Sequence, residues 1–187
     1  HPERNGQPVV PMTFSLEMLA EAATLLVPGQ VVTAIRNVQL AKWLTFDEDF
    51  PHTIELTAKL QKREADSAVL EMRIFDLGHE PEEGKKGDLA AVATVELASR
   101  YPMPPAIEDF PLTGERPCRI PLDVLYKNLF HGELFQGVMS LDRYGDEGIQ
   151  GQIRVLPRAG LFRSEADPQF LLDPVLMDVA MHPLAGW

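Results

Sequence analysis

Cysteine is almost missing from this chain: Cys118 is the only one. A lone thiol cannot close an internal disulfide, so packing must hold the fold, and the count fits a reducing compartment, the cytoplasm. No histidine lies near Cys118 in sequence, so it reads as a small buried hydrophobe rather than a nucleophile. Clustered cations are also missing. Seventeen Lys and Arg face 28 Asp and Glu, for a net charge of -11. Binding a phosphate backbone needs basic runs, so nucleic acid is excluded as an expected partner. No apolar run reaches the roughly 20 residues that span a bilayer, so no membrane span is expected. No basic, apolar secretory segment opens the chain either. Tryptophan is scarce, and Trp43 and Trp187 read as core or rim aromatics.

Apolar content is ordinary at 45% over 187 residues, enough for one domain or two small ones. Met12 to Val27 reads as a helix of Leu, Met, Ala and Glu that stops at Pro28-Gly29. Phe14, Met18, Ala22 and Leu25 recur at helical spacing, and Ala20, Ala22 and Ala23 let another backbone come close. From Val31 the period changes. Residues 35–46, 53–62, 67–76 and 89–98 alternate apolar and polar, as strands with one buried face do. Between the last two, Gly78 to Asp88 is a polar, Gly- and Glu-rich loop. Residues 102–111, Pro-Met-Pro-Pro-Ala-Ile-Glu-Asp-Phe-Pro, form a stiff linker between residues 1–101 and 112–187. The second part shows strands near Gly137–Arg143 and Gly148–Leu156 around a turn at Tyr144-Gly145-Asp146, and a helix from Asp173 to Leu184. A helix followed by long antiparallel strands is an α+β pattern in which a sheet wraps a helix.

That last helix carries the chemistry. Asp173 is a good N-cap and Pro174 a good first residue. Asp178 and His182, four apart, then share one face among Val175, Leu176, Met177, Val179, Ala180 and Met181. A charge among apolar neighbours costs free energy unless it is paired or neutral. Burial is expected to push the Asp178 carboxyl upward, toward a protonated acid. The plain alternative is a structural Asp–His hydrogen bond on a half-exposed helix.

Three segments in order carry a resemblance. His1 precedes Gly6 and Pro11, which leads into the Met12 helix. His131-Gly132-Glu133-Leu134-Phe135-Gln136-Gly137 lies in the middle. Asp173-Pro174, Asp178 and His182 close the chain. Together they resemble the dehydratase domains of polyketide synthases and of polyunsaturated-fatty-acid-type synthases. Those carry a His, a Gly and a Pro before a long helix, then Tyr-Gly-Pro-x-Phe-Gln-Gly, then Asp-Pro-x-x-x-Asp-x-x-x-His/Gln. The chain departs from that pattern. Four residues rather than three separate His1 from Gly6, His131 and Glu133 stand where the family has Tyr and Pro, and both ends look clipped.

The resemblance implies a double hotdog, each half a long central helix wrapped by an antiparallel sheet. It implies dehydration of a (3R)-3-hydroxyacyl thioester to the 2,3-enoyl thioester. His1 would come from the first half and Asp178 from the second, meeting across the interface. His1 would be the base, Asp178 the acid, and His182 would orient Asp178 or bond the leaving hydroxyl; a clone-derived or frayed terminal residue is the other reading of His1. Gly6 is a plausible donor region for the thioester oxygen, helped by the dipole of the Met12 helix. Pro11, Phe135, Gln136 and Gly137 would shape the acyl tunnel. No metal and no cofactor of its own is implied, the substrate riding on the phosphopantetheine of an acyl carrier protein. His52, His79 and His131 look scattered, without ligand spacing.

Expected partners are the carrier protein and other domains of a megasynthase, and a homodimer is compatible with the pattern. Acidity is awkward for docking an acidic carrier. Repulsion is screened within about 8–10 Å and offset by a covalent tether, which favours a carrier in the same assembly. Two alternatives stand: a product-template-like domain that folds or cyclises chains, and a degenerate domain kept for carrier docking.

Overall fold

Alternation in two central strands builds the first sheet. In the computed structural model, which describes residues 8–46, 50–106 and 110–187, β3 (Ser67–Gly78) buries Ala68, Leu70, Met72 and Ile74. Across from them β4 (Asp88–Ala98) buries Leu97, Val95, Ala93 and Ala91, the register partners in that order. Side chains that alternate this way put one apolar face toward a cover and one toward solvent. The flanking strands are β1 (Val31–Leu40) and β2 (Thr53–Arg63), giving an antiparallel sheet in the order β1-β4-β3-β2. The expected strand over 35–46 thus begins and ends earlier. Past Leu40 the chain bends, and Trp43 sits at the rim, half exposed.

Helix α1 (Met12–Leu26) is the cover, touching all four strands. Its buried face differs from the expected one. Leu19, Ala20 and Ala23 are fully buried, with Thr13, Ser15 and Glu17 beside them, whereas Leu25 is 80% exposed. The small alanines explain the choice: a helix packs closest where its side chains are shortest, even when polar residues share the face. Trimming Leu19 to Ala would cost about 2–5 kcal/mol.

Contacts divide the chain into two compact units, one ending at Pro104 and one running from Pro105 to Trp187. The second unit has a smaller antiparallel sheet in the order β5-β6-β7: β5 (Arg116–Pro117), β6 (Val138–Gly145) and β7 (Gly148–Ile153). Helix α2 (Leu122–Asn128) precedes β6, and α3 (Pro174–Met181) follows β7. The expected helix to Leu184 is therefore shorter. Pro183 lacks an N–H and disfavours α geometry before it, so the chain tightens into a 3-10 turn over His182–Gly186. The architecture is the α+β hotdog type, with α3 only eight residues long. No helix among the described residues is long and apolar enough to cross a membrane.

Candidate active site

The N-cap of α3 forms as its sequence dictates. Asp173 Oδ1 accepts the Leu176 N–H at 3.1 Å, Pro174 follows as first helical residue, and Asp173 itself takes a left-handed φ of 49°. One turn later Asp178 emerges, and the start of the 3-10 turn supplies His182. Its Nε2–H donates to Asp178 Oδ2 at 3.1 Å. The imidazole is 3% exposed, so the pair lies in the protein rather than on it.

A second imidazole reaches the same oxygen. His131 Nε2 is 3.1 Å from Asp178 Oδ2, and the two histidine rings are 4.2 Å apart. This corrects the expectation that His131 is scattered: the loop after α2 carries it to α3. Phe130 stacks on its ring at 4.3 Å, and Gln136 Nε2 donates to its backbone carbonyl at 3.2 Å. His52 and His79, also expected to be scattered, lie with their rings 5.0 Å apart in the other unit.

Behind His182 stands Tyr126 of α2. Its hydroxyl accepts the Val138 N–H at 2.9 Å and points to His182 Nδ1 at 3.5 Å. A hydroxyl donating to Nδ1 leaves the proton on Nε2, the atom that faces Asp178. Burial pushes the Tyr126 hydroxyl up, so it stays protonated for that role.

The Asp178 carboxyl departs from expectation in direction. Burial does raise it, but hydrogen bonds from His131 and His182, with their charge, outweigh burial and lower it to about 2. It is an anchored carboxylate, not a buried neutral acid. Among the described residues both hydrogen bonds to the group end on Oδ2, and none reaches Oδ1.

The other expected residues fall as follows. His1 and Gly6 lie outside the described residues. Pro11 precedes α1 and accepts the Phe14 N–H at 3.0 Å. Glu133–Phe135 is a short 3-10 turn. Gly137 is where backbone meets α3: a Cβ there would stand 2.7 Å from Val179 Cγ1. Residues 131–137 thus hold His131 against Asp178. Cys118 is half-buried, not a core residue. Tyr126 and His131 went unassigned in the sequence. The one signal for His131 was its departure from the motif's tyrosine.

The first unit has its own polar cavity, about 230 Å³, lined by Lys42, His52, Asp76 and Asp88 among others. Asp76 Oδ1 lies 2.7 Å from His52 Nε2 and accepts the Gly78 N–H at 2.9 Å, while Lys42 Nζ reaches Oδ2 at 2.9 Å. The clamp ties the start of β2 to the end of β3.

Residues 123–187 match the family model for the polyketide synthase dehydratase N-terminal domain, and all three site residues lie within that match. Over that third of the chain it is similar to such dehydratase domains, and the hotdog fold is what the whole chain shares with the solved structures below. Over 97% of its length the chain is also 26% identical to a polyunsaturated fatty acid synthase polypeptide of Thraustochytrium sp., of which it spans 6%. Among solved structures, the dehydratase domain from the CurF module of curacin polyketide synthase matches 96% of the chain with a TM-score of 0.63 and 20% identity. The chain covers 63% of that domain. An inactive aspartate-to-asparagine form of the CurK dehydratase matches 94% with a TM-score of 0.62 and 21% identity, 60% of it being covered.

Proposed function

We propose that this chain dehydrates a (3R)-3-hydroxyacyl thioester, presented on the phosphopantetheine of an acyl carrier protein within a megasynthase. A base removes the proton from C2, and its electron pair forms the C2–C3 double bond. The C3–O bond breaks, and the hydroxyl leaves as water with a proton from the His–Asp cluster. The observation that carries this reading is one carboxylate bracketed by two imidazole Nε2 atoms, each at 3.1 Å, within the Asp-Pro-x-x-x-Asp-x-x-x-His segment. The inactive asparagine form of CurK supports a role for the carboxylate.

Each residue has a task. Oδ2 is held by both histidines, so Oδ1 is the oxygen left to accept the substrate's 3-hydroxyl. His131 in its protonated form, beside that oxygen, gives the departing proton and is left as a neutral imidazole, general-acid help worth about 10²–10⁴-fold. Tyr126 fixes the His182 tautomer. The family motif gives the base role to His1. Elimination shifts two bonding pairs and two protons with no net change of oxidation state, so the reaction requires no cofactor of the domain's own.

The test is direct. The chain is offered a 3-hydroxyacyl-pantetheine thioester with a chelator present, and loss of one water is followed by mass. Formation of the 2,3-enoyl thioester, abolished in Asp178→Asn, supports the proposal. Unchanged substrate with the folded chain refutes it, and a cyclised product of equal mass points to the chain-folding alternative.

A further inference from the structure

We infer that His131, Asp178 and His182 form a binding site for a single Zn²⁺ or similar divalent transition metal. The sequence gives no ligand spacing for it, because one ligand sits on a loop, one on α3 and one on a 3-10 turn. The fold assembles what the spacing hides. Two imidazole nitrogens and a carboxylate oxygen lie within 4.8 Å of one another, and both nitrogens are 3.1 Å from that oxygen.

Those distances fit the ion. Bonds of about 2.0–2.1 Å in a tetrahedron place neighbouring ligand atoms ~3.3 Å apart. Each N–O edge here is shorter by only a few tenths of an ångström. The nitrogens already aim at the carboxylate, so a small turn of that group opens the centre of the triangle. Two neutral imidazoles and one carboxylate are a ligand set that Zn²⁺ takes readily, with a fourth position left to water or a substrate oxygen. All three side chains are at most 15% exposed, which limits competition from bulk water.

The surroundings support the ligands unequally. A metal-bound histidine is oriented when its other ring nitrogen has a partner. With an ion on Nε2 the His182 ring proton would move to Nδ1, and the Tyr126 hydroxyl, fixed by the Val138 N–H, would turn from donor to acceptor and hold it. His131 Nδ1 is buried with no partner among the described residues. His131 is therefore the weaker ligand.

A metal here is not the dehydration cofactor. It would occupy the groups that move protons, so bound Zn²⁺ should block turnover reversibly. That consequence rests on the dehydratase reading, whereas binding itself does not.

The experiment is metal titration of the intact, tag-free chain, with no substrate. Zn²⁺ competes against a chromophoric chelator, Co²⁺ absorbance reports coordination, and histidine ring resonances are followed by NMR. The expected result is one equivalent bound, with His131 and His182 resonances shifted and an intense four-coordinate Co²⁺ spectrum. His131→Gln, His182→Gln and Asp178→Asn should each weaken binding about 100-fold or more, and His79→Gln should not. Melting curves check each variant, while the resonances in the unaltered protein need no variant. Absence of binding overturns the inference. So does binding that shifts only the His52 and His79 resonances or survives His131→Gln with His182→Gln. Because the dehydration assay contains chelator and this one contains no thioester, either can fail alone.

Discussion

His131 and His182 approach one oxygen, Asp178 Oδ2, from two sides at 3.1 Å each. Charge-assisted bonds of this kind are about twice as strong as neutral ones. Two of them on one atom fix the carboxylate's orientation and leave its other oxygen without a partner among the described residues.

Asp178→Asn should lower turnover by about 10²–10⁴-fold. The amide keeps the shape but cannot remain the anion that both imidazoles hold. His182→Gln retains a hydrogen-bonding group at that helical position, as the family's His/Gln alternation does, and should keep part of the activity. Rates on one hydroxyacyl thioester, with melting curves alongside, check both. Equal and complete loss in both folded variants would put His182 in the proton transfer itself.

Replacing His131 by Leu removes one of the two bonds that hold Asp178 down. Its carboxyl should then titrate higher than about 2, since burial still pushes upward. Carboxyl-carbon NMR across the acid range reads this directly. His131→Tyr, which restores the motif's residue, should recover activity relative to His131→Leu. A carboxyl that does not move in His131→Leu would show the contact to be idle.

Gly137→Ala places a methyl 2.7 Å from Val179 Cγ1. The expected loss is about 1–3 kcal/mol from overpacking, seen as a lower urea midpoint. Adding Val179→Ala should recover part of it, a non-additivity that marks direct contact. Full additivity would refute the clash.

Asp76 governs an acid limb of stability. Burial raises its carboxyl, but hydrogen bonds from Lys42, Gly78 and His52 win, leaving it below its ordinary 3.8. A depressed carboxyl stabilises the fold above the unfolded value and loses that contribution as pH falls through the folded one. Stability should therefore fall as pH drops below about 4, and Asp76→Asn should flatten the decline. Urea melts from pH 6 down to pH 2, compared between the two proteins, decide it.

Much of this was legible in the sequence, for local reasons. The N-cap at Asp173, the start of α1 and the alternation in β3 and β4 are written within a few residues of each element. In β2 the alternation does not become burial, since none of its residues is buried and Leu60 is half exposed. What stayed hidden is non-local. The buried face of α1 was chosen by the sheet it covers, so Leu25 points out despite its helical spacing. His131 meets Asp178 only through the turn that Gly137 permits against α3. The direction of the Asp178 carboxyl is hidden for the same reason: burial is visible in an apolar helix, but a partner from a distant loop is not.

An outer strand of the four-stranded sheet bears on handling the protein. β2 is an outer strand, and its far half exposes Lys59, Gln61, Lys62 and Arg63. A foreign strand extending the sheet there would have to settle among three cations, the kind of edge that resists stacking into fibrils. That row of positive charge, on a chain whose total is -11, sets the far half of β2 apart from the acidic remainder and disfavours pairing there with a strand of like charge.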